Sequence, residues 1–255
     1  GDVWVADKNG QNARRLTVHQ GAETDPRISP DGKWVAFSAQ YDGNRDVYIV
    51  STQGGTPKRL TYHPSADYVR GWEGNNKVLF TSTRASFSGR FSRLFSIDVK
   101  GGFPKMSPIP EIHQASVSPD GKLTAYIKNP DPTESRGVYR PFKMYRGGNM
   151  PRVWIFDNKS YEVTEVPAAK SNNTHPCWAN GKVYFLSDRN TNVNVFEYDP
   201  QSKKVQQITK LKEFDVKTLT SNGQELVLEQ GGKIHLYNLA SKQLKTLKIS
   251  WFYDI

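Results

Sequence analysis

One four-part segment recurs along this chain, and the recurrence restricts the fold more than any other feature. Its clearest copy spans residues 25–61, DPRISPDGKWVAFSAQYDGNRDVYIVSTQGGTPKRLT. A short strand over 26–29 meets the turn Pro30-Asp31-Gly32. Pro30 fixes φ for such a turn, and Gly32 takes positive φ without a Cβ clash. In the second strand Trp34, Ala36 and Ser38 face one way and Val35 and Phe37 the other. A polar loop over 41–45 leads to a third strand over 46–50, and the turn Gln53-Gly54-Gly55 leads to a fourth over 57–61. This pattern predicts four antiparallel strands in one small sheet. Such a sheet cannot bury both faces alone.

Two independent anchors give nearly the same period. The residues closing the second strand are Phe37, Phe80, Tyr126, Phe185 and Leu228, with steps of 43, 46, 59 and 43. Those opening the third strand are Val3, Val47, Leu94, Val153, Val195 and Ile234, with steps of 44, 47, 59, 42 and 39. Four-strand repeats of this length predict a β-propeller. Five full repeats cover about 24–61, 66–108, 112–167, 173–210 and 214–248, and residues 1–17 match only an outer strand pair. The expectation is an all-β, six-bladed β-propeller of four-stranded antiparallel blades, one domain over 1–255. Its first blade lacks the inner strand pair in this chain. The chain opens inside a repeat, so the missing pair is expected ahead of Gly1 in a longer polypeptide.

The formal charge is +10, but Lys and Arg are spread over turns and strand ends without a block of five or six. That spread suits a solvated surface, or a preference for anions such as peptide carboxylates. It argues against nucleic acid as a partner. No apolar run approaches the roughly 18 residues of a membrane helix, so no membrane span is expected. The lone cysteine, Cys177, has no second thiol in the chain with which to form a disulfide. The expected compartment is cytoplasmic, with periplasmic as the alternative.

The third repeat is about 15 residues longer than its neighbours. The excess falls within 129–152, NPDPTESRGVYRPFKMYRGGNMPR, a segment that places Arg136, Arg140, Lys143, Arg146 and Arg152 among Tyr139, Phe142 and Tyr145. Long loops carrying their own aromatics are more often functional than plain connectors. Cations beside aromatic faces suit carboxylate contact, and equally a contact with another domain or subunit. An inert flap is the third reading. Residues Arg136, Arg140, Lys143, Tyr145, Arg146, Gly147, Gly148 and Arg152 are the candidate contact residues. A second loop, 83–93, holds Arg84, Arg90 and Arg93 with Phe87 and Phe91. It reads as an anion-binding stacking loop, or as an exposed loop whose aromatics pack on their own blade.

No catalytic residue is predicted. There is no Gly-x-Ser-x-Gly elbow, no His-Glu-x-x-His and no phosphate-binding glycine loop. No cofactor or metal is predicted either. Asp42-Gly43-Asn44-Arg45-Asp46 lacks the full spacing of a calcium loop. His19 and His63 occupy matching repeat positions, as connector residues would. His113, His175 and His235 fall on non-equivalent strands.

DPRISPDGKWVAFSA followed by DVYIVSTQGGTPKRLTYH resembles the repeats shared by TolB-type propellers and tricorn core proteases. The third repeat narrows this. Tyr145, Arg146, Gly147, Gly148, Val153 and Trp154, within VYRPFKMYRGGNMPRVWIFD, resemble the first propeller of the tricorn family. GKVYFLSD and EQGGKIHLY are similar to the same family, and the likeness runs through the whole chain. It implies a non-catalytic propeller of a serine peptidase that gates or routes peptides. The implied partners are peptide substrates or products, other domains of the same polypeptide and further copies in a homo-oligomer. The family's catalytic residues lie in other domains, and none maps here. The alternative is a stand-alone TolB-like binding propeller, with the cap of a prolyl-oligopeptidase-type enzyme as a third reading.

Overall fold

A computed structural model describes residues 1–87, 89, 91–128 and 145–250. Every regular element among them is a β-strand. The chain starts with a two-stranded sheet of β1 (Trp4–Val5) and β2 (Arg14–Arg15). Five four-stranded sheets follow. The first holds β3 (Glu23–Ile28), β4 (Trp34–Ala39), β5 (Asp46–Ser51) and β6 (Lys58–Arg59). The second holds β7 (Asp67–Glu73), β8 (Lys77–Ser82), β9 (Arg93–Asp98) and β10 (Lys105–Met106). The third holds β11 (Gln114–Val117), β12 (Leu123–Ile127), β13 (Val153–Asp157) and β14 (Val163–Glu165). The fourth holds β15 (Asn173–Ala179), β16 (Lys182–Ser187), β17 (Asn194–Asp199) and β18 (Lys204–Gln207). The fifth holds β19 (Val216–Ser221), β20 (Glu225–Gln230), β21 (Lys233–Asn238) and β22 (Leu244–Thr246).

Within each sheet the strands pair antiparallel in sequence order, the blade pattern of an all-β propeller. The count corrects the six-bladed expectation: among the described residues there are five four-stranded blades and one two-stranded sheet. A blade needs four strands, and the chain ahead of β3 contributes only two. Two compact units form, one of Gly1–Glu111 with Leu247–Ile255 and one of Ile112–Thr246.

In the first unit, Ala36, Val47 and Ile49 share a core with Val69, Val78 and Phe80 of the following blade. Val35, Phe37 and Tyr48, from the opposite face, share one with Val3 and Leu16. The alternation along β4 therefore divides its side chains between two neighbours. In the second unit, Ala125, Ile127 and Val153 join Trp178, Phe185 and Phe196, while Tyr184, Leu186 and Val195 join Leu219 and Leu228.

A hydroxyl latch recurs between third and fourth strands. The N–H groups of Val3, Val47 and Val195 donate to the hydroxyls of Thr17, Thr61 and Thr209 at 2.8, 2.9 and 3.0 Å. Connectors repeat as well. His19 Nδ1 accepts the Gly21 N–H at 2.9 Å, and His63 Nδ1 accepts the Ser65 N–H at 3.0 Å. Both histidines thus shape turns. In the Ser-Pro-Asp-Gly turns, the Ser29 and Ser118 hydroxyls donate to Asp31 and Asp120, holding both carboxyls below the ordinary aspartate range.

The chain beyond β22 returns to the first sheet, where the Ser250 N–H donates to the Gly10 carbonyl at 3.3 Å. Gly10 has φ +86°, and a Cβ there would overlap the Lys248 carbonyl. Gly10→Ala is expected to cost about 2 kcal/mol or more, since a left-handed backbone and a main-chain clash combine. A denaturation midpoint matching the unmodified chain would show that 247–250 is not held there.

Candidate functional site

Three blades carry the same bracket above an aromatic pair. Its key residue stands four positions after the aromatic that ends the second strand: Tyr41, Arg84 and Arg189. In the first blade Phe37 stacks on Tyr48 at 5.9 Å, Tyr41 lies 4.6 Å from Tyr48, and the Tyr41 hydroxyl donates to Glu23. In the second, the Arg84 guanidinium lies 5.2 Å from the Phe80 ring and 5.4 Å from Phe95, and pairs with Asp67. In the fourth, Arg189 lies 5.5 Å from Phe185 and 4.7 Å from Phe196, and donates to Asn173 Oδ1 at 3.1 Å. Glu23, Asp67 and Asn173 all open the first strands of their blades. The bracket ties the loop after the second strand to the first strand, with cation–π attraction in two cases. Burial lowers the Arg189 pKa, and the charge of Asp188 opposes that.

Beside the fourth-blade bracket lies the described end of the insertion. Arg136, Arg140 and Lys143 lie outside the described residues, as does Arg90 of the second-repeat loop. Tyr145, Arg146, Gly147, Gly148 and Arg152 are described. Arg146 Nη1 donates to Asp188 Oδ2 at 2.8 Å and to the Tyr145 carbonyl at 3.0 Å. Asp188 is buried and also accepts from Asn172, at 2.9 Å from its main-chain N–H and 2.7 Å from Nδ2. Asn172 Nδ2 reaches the Tyr145 carbonyl at 3.1 Å. One carboxylate therefore joins the insertion, the residue just ahead of the first strand of the fourth blade and the second-to-third-strand loop of that blade. A Cβ on Gly147 would overlap the Tyr145 ring, whereas Gly148 faces open space. Arg152 pairs with Glu165 at 3.0 Å in a half-exposed setting. The structure brings Tyr145 and Arg146 together at Asp188 and places Arg152 in this separate pair.

The second-repeat loop departs from the packed alternative. Phe87 is fully exposed and Phe91 half exposed, while Arg84 turns inward. Asp67, Asn172 and Asp188 are not among the candidate contact residues expected from the sequence. The available signal was the fixed offset from the anchors, which makes Arg84 and Arg189 equivalent.

A groove of about 400 Å³ between the fourth and fifth blades is lined by Lys182, Tyr184, Glu197, Gln206, Tyr237 and Lys242. Glu197 in this lining is already engaged. Lys182 donates to one oxygen at 2.6 Å and the Tyr184 hydroxyl to the other at 2.7 Å. Among the described residues no group of three or more His, Cys, Asp or Glu is placed to hold a metal ion. No helix among them is long and apolar enough to cross a membrane.

A family model described as the tricorn protease N-terminal β-propeller domain matches residues 1–243. Tricorn protease homolog 1 of Streptomyces coelicolor is 27% identical over 235 residues, 91% of this chain and 21% of that protein. The crystal structure of the tricorn protease superposes with a TM-score of 0.84 at 17% identity, over 100% of this chain and 25% of that one. A putative TolB from Agrobacterium tumefaciens gives 0.70 at 17% identity, over 93% and 84%. The chain thus spans about a fifth of the curated relative and a quarter of the tricorn structure.

Proposed function

The chain belongs to the tricorn protease N-terminal β-propeller family, and on that premise we propose that it is the non-catalytic propeller of a tricorn-type serine peptidase. In this reading it gates or routes peptides between solvent and a proteolytic chamber, and its insertion docks peptides or a neighbouring domain. We further infer that the blade count reaches six in the longer polypeptide and that residues 1–255 act as one propeller domain. The observation that carries the reading is Arg146, an insertion cation held on the Asp188–Asn172 node. Arg146 is fixed through Nη1, and its side chain remains about one-third exposed. Such a guanidinium suits carboxylate or main-chain carbonyl recognition.

The test uses the full-length polypeptide. Arg146→Gln is expected to raise KM for peptides of about 20 residues roughly five-fold, the loss of one charge-assisted contact. kcat on a tripeptide substrate should stay unchanged, and residues 1–255 alone should hydrolyse neither. An unchanged KM for long peptides would remove Arg146 from peptide handling. Hydrolysis by residues 1–255 would overturn the non-catalytic assignment. A full-length polypeptide with no peptidase activity would leave a TolB-like binding propeller.

A further inference from the structure

Two interfaces between consecutive blades are closed by a tryptophan. Trp34, Ala36 and Ile49 of the first blade share a core with Trp72 of the second. Leu123, Ala125 and Ile155 of the third share one with Trp178 of the fourth. Trp72 lies opposite Val78 and Trp178 opposite Val183, each two residues before its blade's anchor, Phe80 or Phe185. The Trp72 indole N–H also donates to the Arg27 carbonyl of the preceding blade at 2.9 Å. An indole at this position fills space between the facing sheets.

The interface between the fourth and fifth blades is built differently. Ser221, opposite Leu226, stands where the tryptophans stand. Lys182, Tyr184 and Glu197 stand where the first blade has Trp34, Ala36 and Ile49, and the third Leu123, Ala125 and Ile155. Tyr184 returns part of the lost indole volume, yet the groove of about 400 Å³ remains. Small-molecule sites occupy roughly 300–1,000 Å³. Ile208 and Leu239 give the groove apolar walls, and both pack on the core of these two blades. Lys182 is matched by Glu197, to which it donates. Lys242 also lines the groove, is exposed and enters no ion pair among the described residues. One positive charge in the lining is therefore uncompensated.

We propose that this groove binds a small organic acid, a flat apolar ring carrying one carboxylate. The ring takes the place of the missing indole, against Ile208 and Leu239. The carboxylate pairs with Lys242, and the Gln206 amide is a further donor. A cationic ligand fits poorly, because both Glu197 oxygens are already held by Lys182 and the Tyr184 hydroxyl. The site is separate from the insertion. Asn180 and Lys242 lie in hairpin turns at one end of the fourth and fifth blades, whereas the insertion joins β12 to β13 at the opposite end of the third. The proposal is therefore independent of the peptide-handling reading.

A ligand-observed NMR titration of the full-length polypeptide with indole-3-propionate tests it. The expected Kd is about 1 mM or tighter, ordinary for a ligand of this size. Lys242→Gln should weaken binding roughly ten-fold, and the neutral indole-3-propanamide should bind the unmodified polypeptide roughly ten-fold more weakly than the acid. Ser221→Trp rebuilds the indole of the other interfaces and should abolish binding. No saturation up to about 20 mM would overturn the proposal. Equal affinity for the acid and its amide would overturn it as well. Full-strength binding to Lys242→Gln would place the acid elsewhere in the polypeptide and overturn it too. Lys242 is exposed in a turn, so that arm decides even if Ser221→Trp fails to fold. A polypeptide without peptidase activity that binds the acid would sink the functional reading alone. An active peptidase that does not bind it would sink only the groove.

Discussion

Replacing Arg84 with alanine is expected to destabilise the first unit by about 3–5 kcal/mol, read by denaturant unfolding. The Asp67 side chain is fully buried, and Arg84 is its ion-pair partner through Oδ2. Asp67 Oδ1 has no hydrogen-bond partner among the described residues. Removing the guanidinium leaves a carboxylate in a low-dielectric setting with little to offset it. It also uncovers the Phe80 and Phe95 rings on which Arg84 lies. The double replacement Arg84→Met with Asp67→Asn should recover much of the loss, because no charge is then stranded. A single-replacement cost below about 1 kcal/mol would mean that the pair behaves like an exposed one.

Phe185→Ala should cost the second unit about 3–5 kcal/mol. The ring is fully buried in the core that Ala125, Ile127 and Val153 share with Phe196 and Trp178, so two blades lose a common filling. It also supports Arg189, whose guanidinium lies 5.5 Å from its centroid. Phe185→Leu keeps most of the volume and should cost clearly less. A loss under 1 kcal/mol for the alanine replacement would show that the site collapses to fill the void.

The repeat was legible because its anchors are large and buried: Phe37, Phe80 and Phe185 have no exposed surface. A period-two alternation around such residues leaves a strong imprint in the sequence. The glycine turns were legible too, and Gly32 and Gly121 both take positive φ of 73°. The bulges of the first strands were harder to see. Asp25-Pro26 and His175-Pro176 each sit at a register shift, and Asp25 and His175 adopt φ of 55° and 52°. A proline cannot donate to the ladder, so a bulge accommodates it, but the alternation pattern simply loses phase there. The insertion was visible from its length and charge. Its anchor was not. Asp188 and Asn172 resemble ordinary loop polar residues until folding buries them beside Arg146. Arg84 and Arg189 were hidden for a similar reason. A surface loop and a buried bracket use the same residue type, and only repeat position distinguishes them.

The most direct test of the central claim is the intact mass of the native polypeptide that contains these residues, with sequencing on both sides of 1–255. A non-catalytic propeller of a tricorn-type peptidase predicts a chain about four to five times this length, as the 21% and 25% coverage of its relatives implies. It predicts a strand pair ahead of Gly1 and a serine-peptidase region beyond Ile255. A polypeptide ending close to Ile255 would contradict the account and leave a binding propeller with no protease to serve.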